Sequence, residues 1–84
     1  MGTAILNKNE ILARQTGSLV GEDLSGIDLE GENLSGIDFS RAILDNARLK
    51  GARLVEAKLH QANLKGADLS GADLRKAYCV AANL

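Results

Sequence analysis

A single cysteine, Cys79, stands among the 84 residues, which excludes a framework of internal disulfides and suits a reducing compartment. No run approaches the roughly 18 apolar residues of a membrane-spanning helix. No basic stretch followed by an apolar one marks a secretory leader. Met1 and Gly2 open a myristoylation pattern, but Leu6 breaks it where Ser or Thr is wanted. These absences set the expectation of a soluble, cytoplasmic protein with no membrane partner.

Chemistry-bearing clusters are equally scarce. There is no Cys/His spacing for zinc, no calcium loop of the EF-hand or nonapeptide β-helix kind, and no Gly-rich phosphate loop. Threonine occurs only at 3 and 16, so no threonine ladder builds an ice-binding face. No metal, cofactor or catalytic residue is therefore expected, and the chain reads as a non-enzyme. The formal charge of −1 gives no general pull toward nucleic acid, so direct nucleic-acid binding is not expected. The charge is uneven, however. Residues 1–40 carry two basic and seven acidic side chains, whereas residues 41–84 carry eight basic and four acidic.

What the sequence does contain is a period of five. Stepping by five from Leu19 gives fourteen positions to Leu84, of which twelve are leucine and the others Phe39 and Cys79. Two residues before each lies a second register, held by alanine at nine positions from Ala42 to Ala82. The residue between is Asp or Asn at eight of the fourteen. Five matches neither the period of about 3.6 of a helix nor the period of 2 of a flat strand. The chain must turn a corner at every repeat. Seven of the nine glycines, Gly21 to Gly71, sit two residues after the central apolar residue. That is the third position of a β-turn, and a type II turn requires positive φ there, which glycine adopts cheaply. Asn46 is the next-best residue for it. Arg41, Glu56, Gln61 and Lys76 in the same register predict another turn type at those corners.

This A(D/N)LXX pattern resembles the pentapeptide-repeat family over about residues 17–84. The resemblance implies an all-β solenoid, a right-handed quadrilateral β-helix of about 3.5 coils of twenty residues. The central Leu or Phe and the small residue two before it then point inward. Stacking residues twenty apart makes compatible outward columns: Asp28, Arg48 and Asp68 alternate in sign, Asn33 is followed by Arg53 and Asp73, and Glu30 meets Lys50. No charged pair twenty apart in these registers has the same sign, which supports the four-sided coil independently of the family.

Residues 1–16 form a separate N-terminal segment with a capping helix predicted near residues 8–16. Asn7 serves as N-cap with Glu10 three residues on, Leu6 and Ile11 hold the staple positions, and Gly17 follows as the C′ glycine. Leu84 falls in the middle of a repeat. The expectation is that a second copy covers that coil end, as a homodimer through the C-terminal coil, or that the chain is a piece of a longer protein.

Individual residues give little chemistry. His60 reads as a solvated surface histidine, and Cys79 as a small apolar core residue of low reactivity. Glu22 and Glu32 are odder, since they occupy the register where later coils place alanine. With Asp23, Asp28 and Glu30 they make a candidate acidic contact patch, and Arg48, Arg53 and Lys58 a candidate basic one. The resulting expectation is a structural or protein-interaction module whose partner is another protein. The alternative implied by the resemblance is a DNA mimic that protects a type II topoisomerase, which calls for a longer and strongly acidic rod.

Overall fold

The computed structural model describes residues 18–82. The helix expected near residues 8–16 and the end of the coil at Leu84 lie outside them. Nine parallel bridges each join residues twenty apart, from Ser18–Asp38 to Lys58–Tyr78. The chain thus closes one rung every twenty residues: rung 1 is 18–37, rung 2 is 38–57, rung 3 is 58–77, and 78–82 begins another. Each rung has four sides of one repeat, so residues twenty apart share a face. The first face carries 18–21, 38–41, 58–61 and 78–81, and the second 23–26, 43–46 and 63–66. The third carries 28–31, 48–51 and 68–71, and the fourth 33–36, 53–56 and 73–76.

Why a pentapeptide suffices becomes clear from its five amides, taking the repeat around Leu29 as the example. The Leu29 N–H donates upward to the Arg48 carbonyl at 2.8 Å, and the Gly31 N–H to the Lys50 carbonyl at 2.9 Å. The Glu32 N–H closes the corner on the Leu29 carbonyl at 3.2 Å. One rung higher, the Arg48 N–H donates downward to the Ile27 carbonyl at 2.8 Å. The fifth amide, that of Glu30, donates to Asp28 Oδ1 at 3.2 Å. A buried or half-buried backbone donor left without an acceptor is costly, and where Asp or Asn holds the capping position this scheme leaves none. The Asp/Asn register therefore exists to cap the amide two residues on, as an Asx turn does.

The corners are uniform, which corrects the expectation of a second turn type. Arg41, Glu56, Gln61 and Lys76 have φ of 59°, 62°, 57° and 61°, alongside Asn46 and Ala81 and the glycines at 67° to 79°. The residue before each never has positive φ, the pattern of a type II turn. The rung ladders fix the corner in space, so they override the local preference of a non-glycine residue and hold it in a strained well.

Inside, the central residues Leu19 to Leu64 are all buried, and the sole phenylalanine, Phe39, fits the column of Leu19 and Leu59. Each such leucine contributes about 1.5–3 kcal/mol of transfer free energy. The second inward register changes with height. Rungs 2 and 3 bury Ala42, Ala47, Ala52, Ala57 and Ala62, whereas rung 1 buries the larger Ile27 and Ile37 at two opposite corners. Glu22 and Glu32 take the other two corners and are half-exposed, so no charged side chain is buried among the described residues. Leu69, Leu74 and Cys79 pack on this core but are only partly covered. Cys79 is thus half-buried where full burial was expected.

Candidate functional site

With the interior filled by leucine and alanine, only the four outer faces remain for chemistry. Among the described residues no pocket opens on them and no group of three or more His, Cys, Asp or Glu side chains converges. Nor is any helix long and apolar enough to cross a membrane. Charge is distributed by rung. Rung 1 carries Glu22, Asp23, Asp28, Glu30 and Glu32 and no basic residue. Rung 2 sets Arg41, Arg48, Lys50 and Arg53 against Asp38, Asp45 and Glu56, and rung 3 sets Lys58, Lys65, Arg75 and Lys76 against Asp68 and Asp73.

The candidate contact residues do not form one site. Asp28, Glu30 and Arg48 meet on the third face, where Arg48 Nη2 donates to Glu30 Oε2 at 2.8 Å and Nε to the same oxygen at 3.1 Å. This diagonal pair replaces the expected vertical Glu30–Lys50 contact, because the long guanidinium fork reaches sideways on the flat wall. Glu30, followed by the longer-range fields of Asp28 and Asp68, holds the Arg48 guanidinium protonated more firmly than usual. Both side chains remain substantially open to solvent, where such a pair adds little to stability. Arg53 lies on the fourth face, Lys58 on the first, Asp23 on the second, and Glu22 and Glu32 at corners. The structure thus encircles the prism with these residues instead of gathering them.

Four aspartates of the capping register, Asp23, Asp38, Asp68 and Asp73, are more acidic than an ordinary carboxylate. Asp23 is held below the usual carboxylate range first by the Ser25 hydroxyl, which donates to Oδ1 at 2.7 Å, and then by the Ser25 amide. Ser70 does the same to Asp68, and Ser40 to Asp38, with Lys58 and His60 adding smaller contributions there. On the fourth face Arg75 folds back on Asp73, with Nη2 donating to Oδ2 at 2.7 Å, and lowers its pKa.

Sequence reasoning missed one feature, which lies on the first face. The rings of His60 and Tyr78 pack at a tilt of 45° with centroids 5.8 Å apart. His60 is half-buried by this contact, so it is less solvated than expected. Of the four large hydrophobic side chains exposed among the described residues, Val20, Tyr78 and Val80 share this face; Ile43 is on the second. The signal was present in the sequence, since Tyr78 is the one aromatic residue in the Asp/Asn register.

Comparison with known proteins bears on what this prism is. The sequence pattern described as pentapeptide repeats matches residues 23–61 and 52–84, in eight copies. Among solved structures, the chain is similar to a pentapeptide repeat protein from the cyanobacterium Cyanothece 51142, with 34% identity and a TM-score of 0.61. That match covers 80% of this chain and 52% of the other. A pentapeptide repeat protein from the Arabidopsis thaliana thylakoid lumen matches with 29% identity and a TM-score of 0.64, covering 88% of this chain and 55% of that one. The chain therefore spans about half the length of these relatives. No curated protein matches it.

Proposed function

The chain belongs to the pentapeptide-repeat family, and from that premise we propose that it is a non-catalytic module that binds another protein through its outer faces. The observation that carries this reading is the conjunction of a filled, ladder-locked interior with pocket-free walls whose charge is segregated by rung. A wall pinned by hydrogen bonds at every corner arrives preorganised, so association does not have to order it. Segregated charge steers encounter and selects orientation more than it adds raw affinity. The right-handed winding of the family and a homodimer through the C-terminal coil are part of the same reading.

The test is capture of partners from the host's lysate on the immobilised chain, with the triple variant R48E/R53E/K58E as control. A specific protein retained by the native chain and lost by the variant supports a binding module and locates the contact on the basic rungs. Absence of any specific retained protein overturns the reading in favour of a purely architectural role.

A further inference from the structure

Eight of the thirteen described corners cap the amide that follows the central residue with a side-chain oxygen from the register two before it, at 3.0–3.4 Å. Five corners do not, because the capping position holds Ile43, Arg48, Arg53, Lys58 or Tyr78. At those five corners the amide that follows the central residue, that of Asp45, Lys50, Val55, His60 or Val80, has no acceptor among the described residues. The second, third and fourth faces have one such amide each. On the first face two lie in consecutive rungs, at His60 and Val80, about 4.8 Å apart as stacked strands require.

These two amides coincide with the other irregularities of that face. Lys58 stands exposed in the capping position of the His60 repeat and takes no part in the salt bridges among the described residues, Arg48–Glu30 and Arg75–Asp73. It is stacked one rung above Asp38, whose Oδ1 accepts from the Ser40 amide at 3.0 Å and whose carboxylate feels the Lys58 charge. Tyr78 and Val80 are 50% and 70% exposed, and Arg41 borders the patch at the corner. Two outward N–H donors, an exposed ammonium and an exposed aromatic–aliphatic pair sit together nowhere else among the described residues.

We propose that this first face, around Lys58, His60, Tyr78 and Val80, docks an extended acidic segment of a partner protein. Carboxylate oxygens of that segment take the place of the missing capping oxygens on the His60 and Val80 amides. Lys58 supplies the opposing charge, and an aliphatic residue beside the carboxylates packs on Tyr78 and Val80. Charge-assisted bonds from amides to carboxylates are stronger than neutral ones, and the vacant amides carry no internal bond that must first be broken. The proposal rests on the binding-module reading and names the chemistry of its partner.

The test uses the full chain, isotopically labelled for amide NMR, and a short synthetic peptide alternating glutamate and leucine. A matched peptide with lysine for glutamate is the control. The acidic peptide is expected to move the His60 and Val80 amide resonances most, and the lysine peptide to leave them in place. The double variant K58N/Y78N restores the repeat's own capping oxygens. It is expected to melt no lower than the native chain and to bind the acidic peptide roughly tenfold more weakly or worse, the loss of one charge-assisted bond or more. Shifts spread evenly over the faces, or undiminished binding by the folded K58N/Y78N variant, overturn the proposal. The lysate capture separates the two readings: a partner still retained by K58N/Y78N leaves the binding module standing and refutes only this face.

Discussion

Replacing Gly36 with alanine isolates the backbone cost of a corner, because φ there is +79° and an added Cβ would meet nothing within 4 Å. An L-residue in the left-handed region costs roughly 1–2 kcal/mol, of which about 0.5–1 kcal/mol is recovered from glycine's greater freedom in the unfolded chain. The net loss is about 1 kcal/mol, a fall in melting temperature of roughly 4–8 °C for a domain of this size. Gly66 offers the contrast. Its φ is +73°, but an added Cβ would collide with Oδ1 of Asn46, the residue stacked one rung below. Gly66→Ala must therefore also displace that side chain, and its cost exceeds that of Gly36→Ala. In an Asn46→Gly background the obstruction is gone, so the two alanine variants should become equivalent. Thermal melts followed by circular dichroism at fixed pH measure the two parent chains and the four alanine variants. An unchanged or raised melting temperature for Gly36→Ala would refute the claim that the corner strain is real. Equal costs at 36 and 66 with Asn46 present would show that its side chain moves aside freely.

Three further outcomes follow from the packing and the carboxylates. Leu49→Ala, at a fully buried position, should cost about 2–5 kcal/mol, and Leu74→Ala distinctly less because Leu74 is only partly covered; urea titrations rank the two, and a reversed order would contradict the assigned core. Ala57→Leu should destabilise by about 1–3 kcal/mol, since the alanine column has no spare width, with an unaltered melting temperature as the failing result. The lowered pKa values of Asp23, Asp68 and Asp73 give stability that is fully present above the unfolded carboxylate pKa near 3.8 and lost as pH falls through the lower folded values. Melting temperature should thus be flat from neutral to about pH 5 and drop below it; Asp68→Asn, which keeps a capping oxygen, should shrink that drop, and an undiminished one would remove Asp68 from the account.

The rung, its twenty-residue length and its leucine columns were legible in the sequence because each depends on a strict period that chance does not produce. The outward columns twenty apart, Asp28, Arg48 and Asp68 alternating in sign among them, supported four sides together because no like-charged pair fell in them. Turn geometry was misread at Arg41, Glu56, Gln61 and Lys76, where local preference points away from positive φ but the turn bond and the rung ladder enforce it. Ion pairing was misread for a different reason. Column logic places Glu30 under Lys50, yet side-chain length and the fork of Arg48 decide the contact. The function of the Asp/Asn register could not be read from spacing, since it is an amide count, visible only once every other donor has been accounted for. The same count exposed the His60 and Val80 amides, which periodicity alone would have passed over as two more irregular repeats.

The four-face bookkeeping also constrains how such a chain can change length. Removing a single pentapeptide would leave every leucine inside and every corner intact, so the core would scarcely register it. Every residue beyond the cut would nevertheless swing by a quarter turn, carrying Lys58, His60, Tyr78 and Val80 off the face that bears Val20 and Asp38. Only the loss or gain of a whole rung of twenty preserves which side chains look out together. In this architecture a deletion is graded less by its size than by its remainder on division into rungs. Stability would tolerate four kinds of deletion where surface composition accepts one.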